Sequence, residues 1–299
     1  MTDTAGDDHR SSINRRAIFA MSGGMTLLGC NDALVRWVGA DLPVGQMMTI
    51  RGLALLVVFF AVFHARNMPI SLKAIGHKWS LIRALCELSA TYLFLSSIML
   101  VPIAIATTLV FTAPIIMTAI AGPIYREKVG PWRWTAVIVG FLGVLLITTP
   151  VNGEFDPALF LALGCSALVV VRDIVTRKID PDLPSSSIAI TTAIVVSAGG
   201  LLSIPWGWSA PSPVNMAMLT LAGLLIGGSY ILYVTSVRIG DFSLISPFRY
   251  IAIPWAAFFG WLIWDETPGN FALLGCALIV GSGLLILWRE RVNRLQRGP

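Results

Sequence analysis

Four ionisable side chains stand inside long apolar runs of this sequence: Arg51, Arg83, Glu87 and Arg249. A charge near the middle of a bilayer costs about 2.5–3.5 kcal/mol or more, so it normally faces a cavity or a partner. Arg51 lies eight residues past Pro43, or about 12 Å along a helix. It has two readings: a staple to Asp32 or to backbone carbonyls, or a contact for a ligand. Arg249 follows Pro247 by two residues, so its guanidinium can receive a carboxylate or pack against carbonyls that the proline frees. Arg83 and Glu87 are one helical turn apart. They form an i,i+4 ion pair, or Glu87 is left to hold an ammonium or a proton.

Aromatic and hydroxyl side chains complete a plausible pocket, since small-molecule sites are mostly apolar with a few placed polar groups. The candidates are Tyr92, Thr107, Thr108, Tyr230, Tyr233, Tyr250 and Trp255. Two further pairs, Asp32 with Arg36 and Asp173 with Arg177, have i,i+4 spacing. Each is either a structural ion pair at a helix end or a latch that opens and closes.

Other chemistries find no support. Cys30, Cys86, Cys165 and Cys276 stand singly in four different apolar runs, without metal or redox spacing. His9, His64 and His77 make no HExxH pattern, so neither a metal site nor a cofactor is expected. No G-x-x-x-x-G-K-[ST] loop occurs, which removes direct nucleotide drive within the chain. A membrane enzyme would need a cluster of His, Asp or Cys near one interface, and none is present. The chain is therefore not expected to be an enzyme.

The elements that must position these residues are apolar segments. The chain is 56 % hydrophobic and 12 % charged, against about a quarter charged in soluble domains. A membrane-spanning helix needs about 20 apolar residues, and ten segments qualify: 17–38, 44–64, 80–99, 102–122, 132–149, 158–176, 185–205, 214–237, 242–264 and 269–288. Their length and continuous apolarity predict helices rather than a barrel. Lys and Arg cluster at the N-terminal tail, the even-numbered loops and the C-terminal tail. Asp41, Glu154, Asp156, Asp265 and Glu266 lie on the other side. The positive-inside rule then puts both termini in the cytoplasm. The net charge of +5 reports that topology and not nucleic-acid binding.

The second half of the chain repeats the first at an offset of 139–141 residues. Asp32, Arg36 and Pro43 return as Asp173, Arg177 and Pro184. Pro114, Glu127, Gly130 and Gly143 return as Pro254, Glu266, Gly269 and Gly283. Five segments per repeat place the second copy upside down, which is the architecture of secondary transporters. The expected organisation is a cytoplasmic tail (1–16), a first five-helix repeat (17–150), an inverted second repeat (151–288) and a basic cytoplasmic tail (289–299). Pro114 and Pro254, in the fourth and ninth segments, break helices that are expected to line something.

This pattern resembles the drug/metabolite transporter superfamily, in particular its ten-helix EamA-type members. The resemblance spans about 17 to 288 and rests on the two repeats, Pro43 followed by Arg51, Pro114 with Pro254, and the turns Glu127-Lys-Val-Gly130 and Glu266-Thr-Pro-Gly269. It implies a multi-pass protein of the bacterial inner membrane that exports small metabolites by alternating access. The size and aromatic-rich spans look most like exporters of neutral or aromatic amino acids. Carriage of phosphorylated sugars or nucleotides, or of organic cations and drugs, is the alternative on the same fold. The expected partners are a small-molecule substrate, the lipid bilayer and a proton or other coupling ion. Two departures stand out. Thr192 occupies the position where the repeat offset would place a partner for Arg51, and the first helix lacks the membrane-embedded Glu of the four-helix drug exporters.

Overall fold

A computed structural model describes residues 4–125, 131–148, 156–239 and 245–297. The Glu127–Gly130 turn and Glu154 lie outside these residues. All elements among the described residues are helices. The first half contains α1 (Thr4–Val38), α2 (Val44–Ala65), the single turn α3 (Leu72–Ile75), α4 (Lys78–Leu100), α5 (Ile103–Val110), α6 (Ala113–Tyr125) and α7 (Pro131–Thr148). The second contains α8 (Leu159–Thr176), α9 (Ser185–Leu201), α10 (Pro213–Ile239), α11 (Ala252–Trp264) and α12 (Asn270–Arg297).

Among the described residues, helix occupies most of each predicted apolar segment. Seven helices are long and apolar enough to cross a membrane: Ile13–Val38, Val44–Ala65, Lys78–Leu100, Ile103–Ile120, Leu159–Thr176, Pro213–Ile239 and Asn270–Trp288. Trp134–Thr148 and Ser185–Leu201 are apolar but shorter. The protein is thus an all-helical, multi-pass membrane protein. No Pro lies between residues 4 and 38, so α1 continues through most of the expected tail. At the other extreme, α9 stops four residues before Pro205, whose ring disfavours helix just ahead of it. A short 3₁₀ turn, Ile204–Trp206, follows.

Proline accounts for both interruptions inside spans. The fourth segment breaks at Phe111 and Thr112, and Pro114 is the second residue of the new helix, α6. In the ninth, a 3₁₀ run, Ser246–Ile251, leads directly into α11, whose third residue is Pro254. A first-turn proline forfeits an N–H that would be unsatisfied anyway, so each ring begins a helix after the break instead of kinking a continuous one. Pro43 and Pro184 stand just before α2 and α9 in extended conformation.

Helices at corresponding places in the two halves pack together. α2 lies on α9 and α7 on α12, while α1 on α10 is mirrored by α8 on α4. The α7–α12 crossing needs glycine on both sides. A Cβ at Gly143 would come within 2.8 Å of the Gly275 carbonyl, and one at Gly275 within 2.6 Å of the Gly143 carbonyl. Small residues at such crossings let backbones touch where lipid supplies no hydrophobic drive.

Candidate functional site

A cavity of about 430 Å³ opens among α1, α2, α4, α8, α9 and α10. Its lining comes from the N-terminal half of α4, the last turns of α8 and the first turns of α9, so it lies toward one end of the bundle. Phe59, Tyr230 and Tyr233 supply aromatic wall, with the rings of Phe59 and Tyr230 5.0 Å apart. Arg51, Arg83, Arg172 and Arg249 face Glu87 and Asp173. Among the described residues this gives four guanidinium groups against two carboxylates.

Each charge is held by a named contact. Arg51 is buried on α2, and its Nη1 is 3.4 Å from Asn31 Oδ1. Asn31 in turn donates to Asp32 Oδ1 at 2.8 Å. The staple reading of Arg51 therefore runs through an amide, with Asp32 behind it. Glu87 accepts from Arg172 Nη1 at 2.8 Å, and the same guanidinium reaches Asp173 Oδ1 from Nε and Nη2 at 2.9 and 2.7 Å. One arginine thus ties α4 to α8. Arg83 donates to Thr176 Oγ1 at 3.1 Å and to Thr192 Oγ1 at 2.7 Å. The Arg249 guanidinium carbon lies 5.6 Å from the Tyr233 ring centre, within the range of cation–π attraction.

Several expected pairings are corrected. Glu87 pairs with Arg172 across to the next helix and not with Arg83 one turn away. Asp173 is held by its neighbour Arg172. Asp32 does not pair with Arg36, which instead grips Glu266 through both terminal nitrogens, Nη1 at 2.7 Å from Oε2. For Glu87 and Arg36 the partner comes from an element packed alongside and not from the next turn of the same helix.

Five of the expected pocket residues, Arg249, Glu87, Arg51, Tyr230 and Tyr233, come together in this cavity. Four others do not line it. Tyr92 is 51 % exposed on the outer surface of α4. Thr107 and Thr108 are buried within α5, and Thr108 Oγ1 bonds the Ala104 carbonyl at 2.7 Å. Trp255 stacks on Phe259 and covers Gly29. Tyr250 and Pro114 line a different, smaller cavity, and Pro254 is exposed.

Arg172 and Asn31 are passed over by the sequence reading, although each carried a signal. Arg172 is a charge thirteen residues into the apolar run of α8, and Asn31 occupies the matching position at the 141-residue offset, each directly before an Asp. Their proximity to the helix end hid them.

A polar, aromatic-walled chamber enclosed by apolar helices is what a membrane carrier requires, and the comparisons agree with that class. The chain belongs to the EamA-like transporter family, whose model matches residues 15–149 and again residues 157–288. It is 26 % identical over 286 residues to a riboflavin transporter of Vibrio cholerae serotype O1, covering 94 % of this chain and 96 % of that one. A riboflavin transporter of Rhizobium johnstonii is 28 % identical, over 67 % of this chain and 66 % of its own. An S-adenosylmethionine uptake transporter of Rickettsia prowazekii is 23 % identical, over 87 % and 88 %. A solved crystal structure shares the fold with a TM-score of 0.64 at 19 % identity, over 94 % of this chain and 99 % of the other.

Proposed function

We propose that this transporter carries a flavin-like metabolite, an extended heteroaromatic ring with a polar side chain, across the bacterial inner membrane by alternating access. The observation that carries the reading is the cavity: about 430 Å³ of space with three aromatic side chains and an excess of guanidinium groups. Pockets of about 300–1,000 Å³ take drug-sized ligands, so the chamber is roomier than a single neutral or aromatic amino acid needs. Relatives matching along most of their length are named for riboflavin and for S-adenosylmethionine uptake, which favours import over the export of amino acids. Between those two substrates the charges favour riboflavin. Both cavity carboxylates are engaged by Arg172, so a sulfonium cation would meet uncompensated positive charge. Ring carbonyls and ring nitrogens of a neutral flavin can accept hydrogen bonds from the arginines instead.

In this reading the chain spans the membrane ten times as two inverted five-helix repeats, with both termini cytoplasmic. The paired packing of α2 with α9 and of α7 with α12 supports that arrangement. The cavity then faces the cytoplasm while Arg36 and Glu266 close the outer end. A proton or another ion gradient supplies the drive.

The test is uptake into proteoliposomes of riboflavin, labelled S-adenosylmethionine and labelled aromatic amino acids. Saturable riboflavin entry that is accelerated by riboflavin on the far side is the expected result. Movement of S-adenosylmethionine or amino acids without riboflavin would overturn the substrate and leave the carrier.

A further inference from the structure

A second cavity, about 270 Å³, lies where three apolar helices end together. Its walls come from the C-terminal turns of α2 and α10 and the first turn of α9. α2 packs against both of the others, and the cavity fills the gap over its end. Arg66 directly follows the apolar span Val44–Ala65, and Arg238 is the last residue but one of the span Pro213–Ile239. Both arginines are exposed and both line the cavity.

The local chain geometry fixes Arg66 there. Asn67 takes a left-handed conformation (φ 47°), which Asn tolerates better than most residues. The Asn67 N–H then donates to the His64 carbonyl at 3.0 Å, and the Met68 N–H to the Phe63 carbonyl at 2.9 Å. These are the two bonds of a Schellman helix ending, and Met68 packs back onto the cluster that holds Phe63. The loop beyond is stapled to α9. Ser186 Oγ donates to the Pro69 carbonyl, and the Ser71 N–H donates to Ser187 Oγ at 2.8 Å.

Depth separates the polar from the apolar part of this cavity. Val62 comes four residues before Arg66, and Ile231 seven before Arg238, so apolar wall lies about 6 to 10 Å deeper along the helix axes. Phe63 and Val234 belong to the same wall. The rim is cationic. Among the described residues no carboxylate lines the cavity, and no ion pair engages Arg66 or Arg238. The positive end of the α9 dipole adds to that field.

A ligand matched to this shape carries negative charge at the level of the span ends and hydrocarbon below it. Basic pockets between membrane helices suit anionic headgroups. A zwitterionic headgroup would bring an ammonium toward two guanidinium groups with no carboxylate to receive it. A soluble phosphate would leave the apolar wall uncovered. We propose that the cavity seats an anionic phospholipid, its phosphate between Arg66 and Arg238 and an acyl chain against Val62 and Ile231. This site is independent of the substrate that the larger cavity takes.

Binding to the full-length protein, stripped of lipid in detergent, tests the site. Phosphatidylglycerol and phosphatidylcholine with the same acyl chains are titrated in, and bound lipid is counted by native mass spectrometry. Phosphatidylglycerol is expected to bind about fivefold more tightly than phosphatidylcholine. The Arg66→Gln, Arg238→Gln protein should lose about tenfold in phosphatidylglycerol affinity. Its thermal unfolding in lipid-free detergent should not change, because both residues are exposed. Arg15→Gln, Arg16→Gln removes two exposed charges from α1 instead, and this protein should bind as the unsubstituted chain does. Equal affinity for the two lipids overturns the proposal, as does an equal loss in the two double variants. Glycerol 1-phosphate supplies the phosphate without the chains and should displace the lipid only at about a hundredfold higher concentration. Displacement at equal concentration would assign the cavity to a soluble phosphate and overturn the lipid.

Discussion

Arg36, at the end of α1, clasps the carboxylate of Glu266 with both terminal nitrogens, a contact joining residues 230 positions apart in sequence. The geometry is built by the end of α11. Asp265 takes a left-handed backbone conformation (φ 54°), which Asp tolerates better than most residues. The Glu266 N–H then folds back onto the Gly260 carbonyl at 3.1 Å. From there Glu266 Oε2 also accepts the first N–H of α5, that of Ile103, at 3.2 Å. The Arg36 guanidinium meanwhile sits 4.5 Å from the centre of the Trp264 ring. One fork therefore binds α1, α5 and the α11–α12 turn at the end of the bundle away from the large cavity.

Charge reversal tests the clasp as a gate. Arg36→Glu or Glu266→Arg alone is expected to cut transport at least tenfold, because each leaves a mostly buried charge without its partner. The double reversal should restore a substantial part of the activity. Arg36→Lys should rescue poorly, since an ammonium cannot reproduce the two-pronged contact. Cysteine accessibility at the closed end supplies the second readout, and it should rise in the single variants. Unchanged transport and accessibility would leave the pair a structural fastening.

Arg172 joins Glu87 on α4 to Asp173 on its own helix, which commits Glu87 to an ion pair. Because a guanidinium stays protonated across the accessible pH range, it gives the Glu87 carboxylate a permanent partner. Glu87→Gln is accordingly expected to keep the shape of the pH profile of transport while lowering thermal stability by several degrees. Arg172→Ala should be worse, for it leaves two carboxylates facing each other. A pH profile flattened by Glu87→Gln would instead make Glu87 the carrier of the coupling proton.

How much of this was legible in the sequence follows from the range of each signal. Span positions came from local apolarity, and the breaks at Pro114 and Pro254 from chemistry carried by single residues. The charges of the cavity were equally visible, since Arg51, Glu87 and Arg249 each interrupt an apolar run. Their partners were not, because pairing depends on which helix lies alongside, and the i,i+4 rule reports only on the same helix. Arg36 thus looked matched to Asp32 when its partner lay 230 residues on. The offset between the halves held one unused hint, the Asn31–Asp32 and Arg172–Asp173 correspondence, whose second member sits at the cavity wall. Aromatic residues were the least legible. Tyr92 and Tyr230 lie in similar apolar surroundings, and only helix rotation sends one outward and the other inward.

Tyr233 offers its ring to Arg249 and its face to the large cavity. Tyr233→Phe retains both functions and is expected to transport at close to the normal rate. Tyr233→Ala should raise the half-saturation concentration for riboflavin about tenfold, from an aromatic contact worth about 0.5–1.5 kcal/mol beyond its buried area. Flavin fluorescence provides a direct readout, as quenching on binding should persist in the Phe variant and weaken in the Ala variant. Equal losses in both would point to the hydroxyl and away from ring contact.

Arg249 lines the large cavity beside Tyr233, so its substitution should discriminate charge from shape. Arg249→Lys keeps a positive charge near Tyr233 but loses the planar, two-pronged donors that can address a ring carbonyl. A half-saturation concentration raised about tenfold, with the maximal rate largely kept, is expected for Lys. Arg249→Ala should lose most transport, since it also removes part of the cavity wall. Stability provides the control, because Arg249 makes its described contact with one ring and not with a buried carboxylate. Both variants should therefore melt within a few degrees of the unsubstituted protein. Undiminished riboflavin uptake by Arg249→Ala would remove the residue from the substrate path.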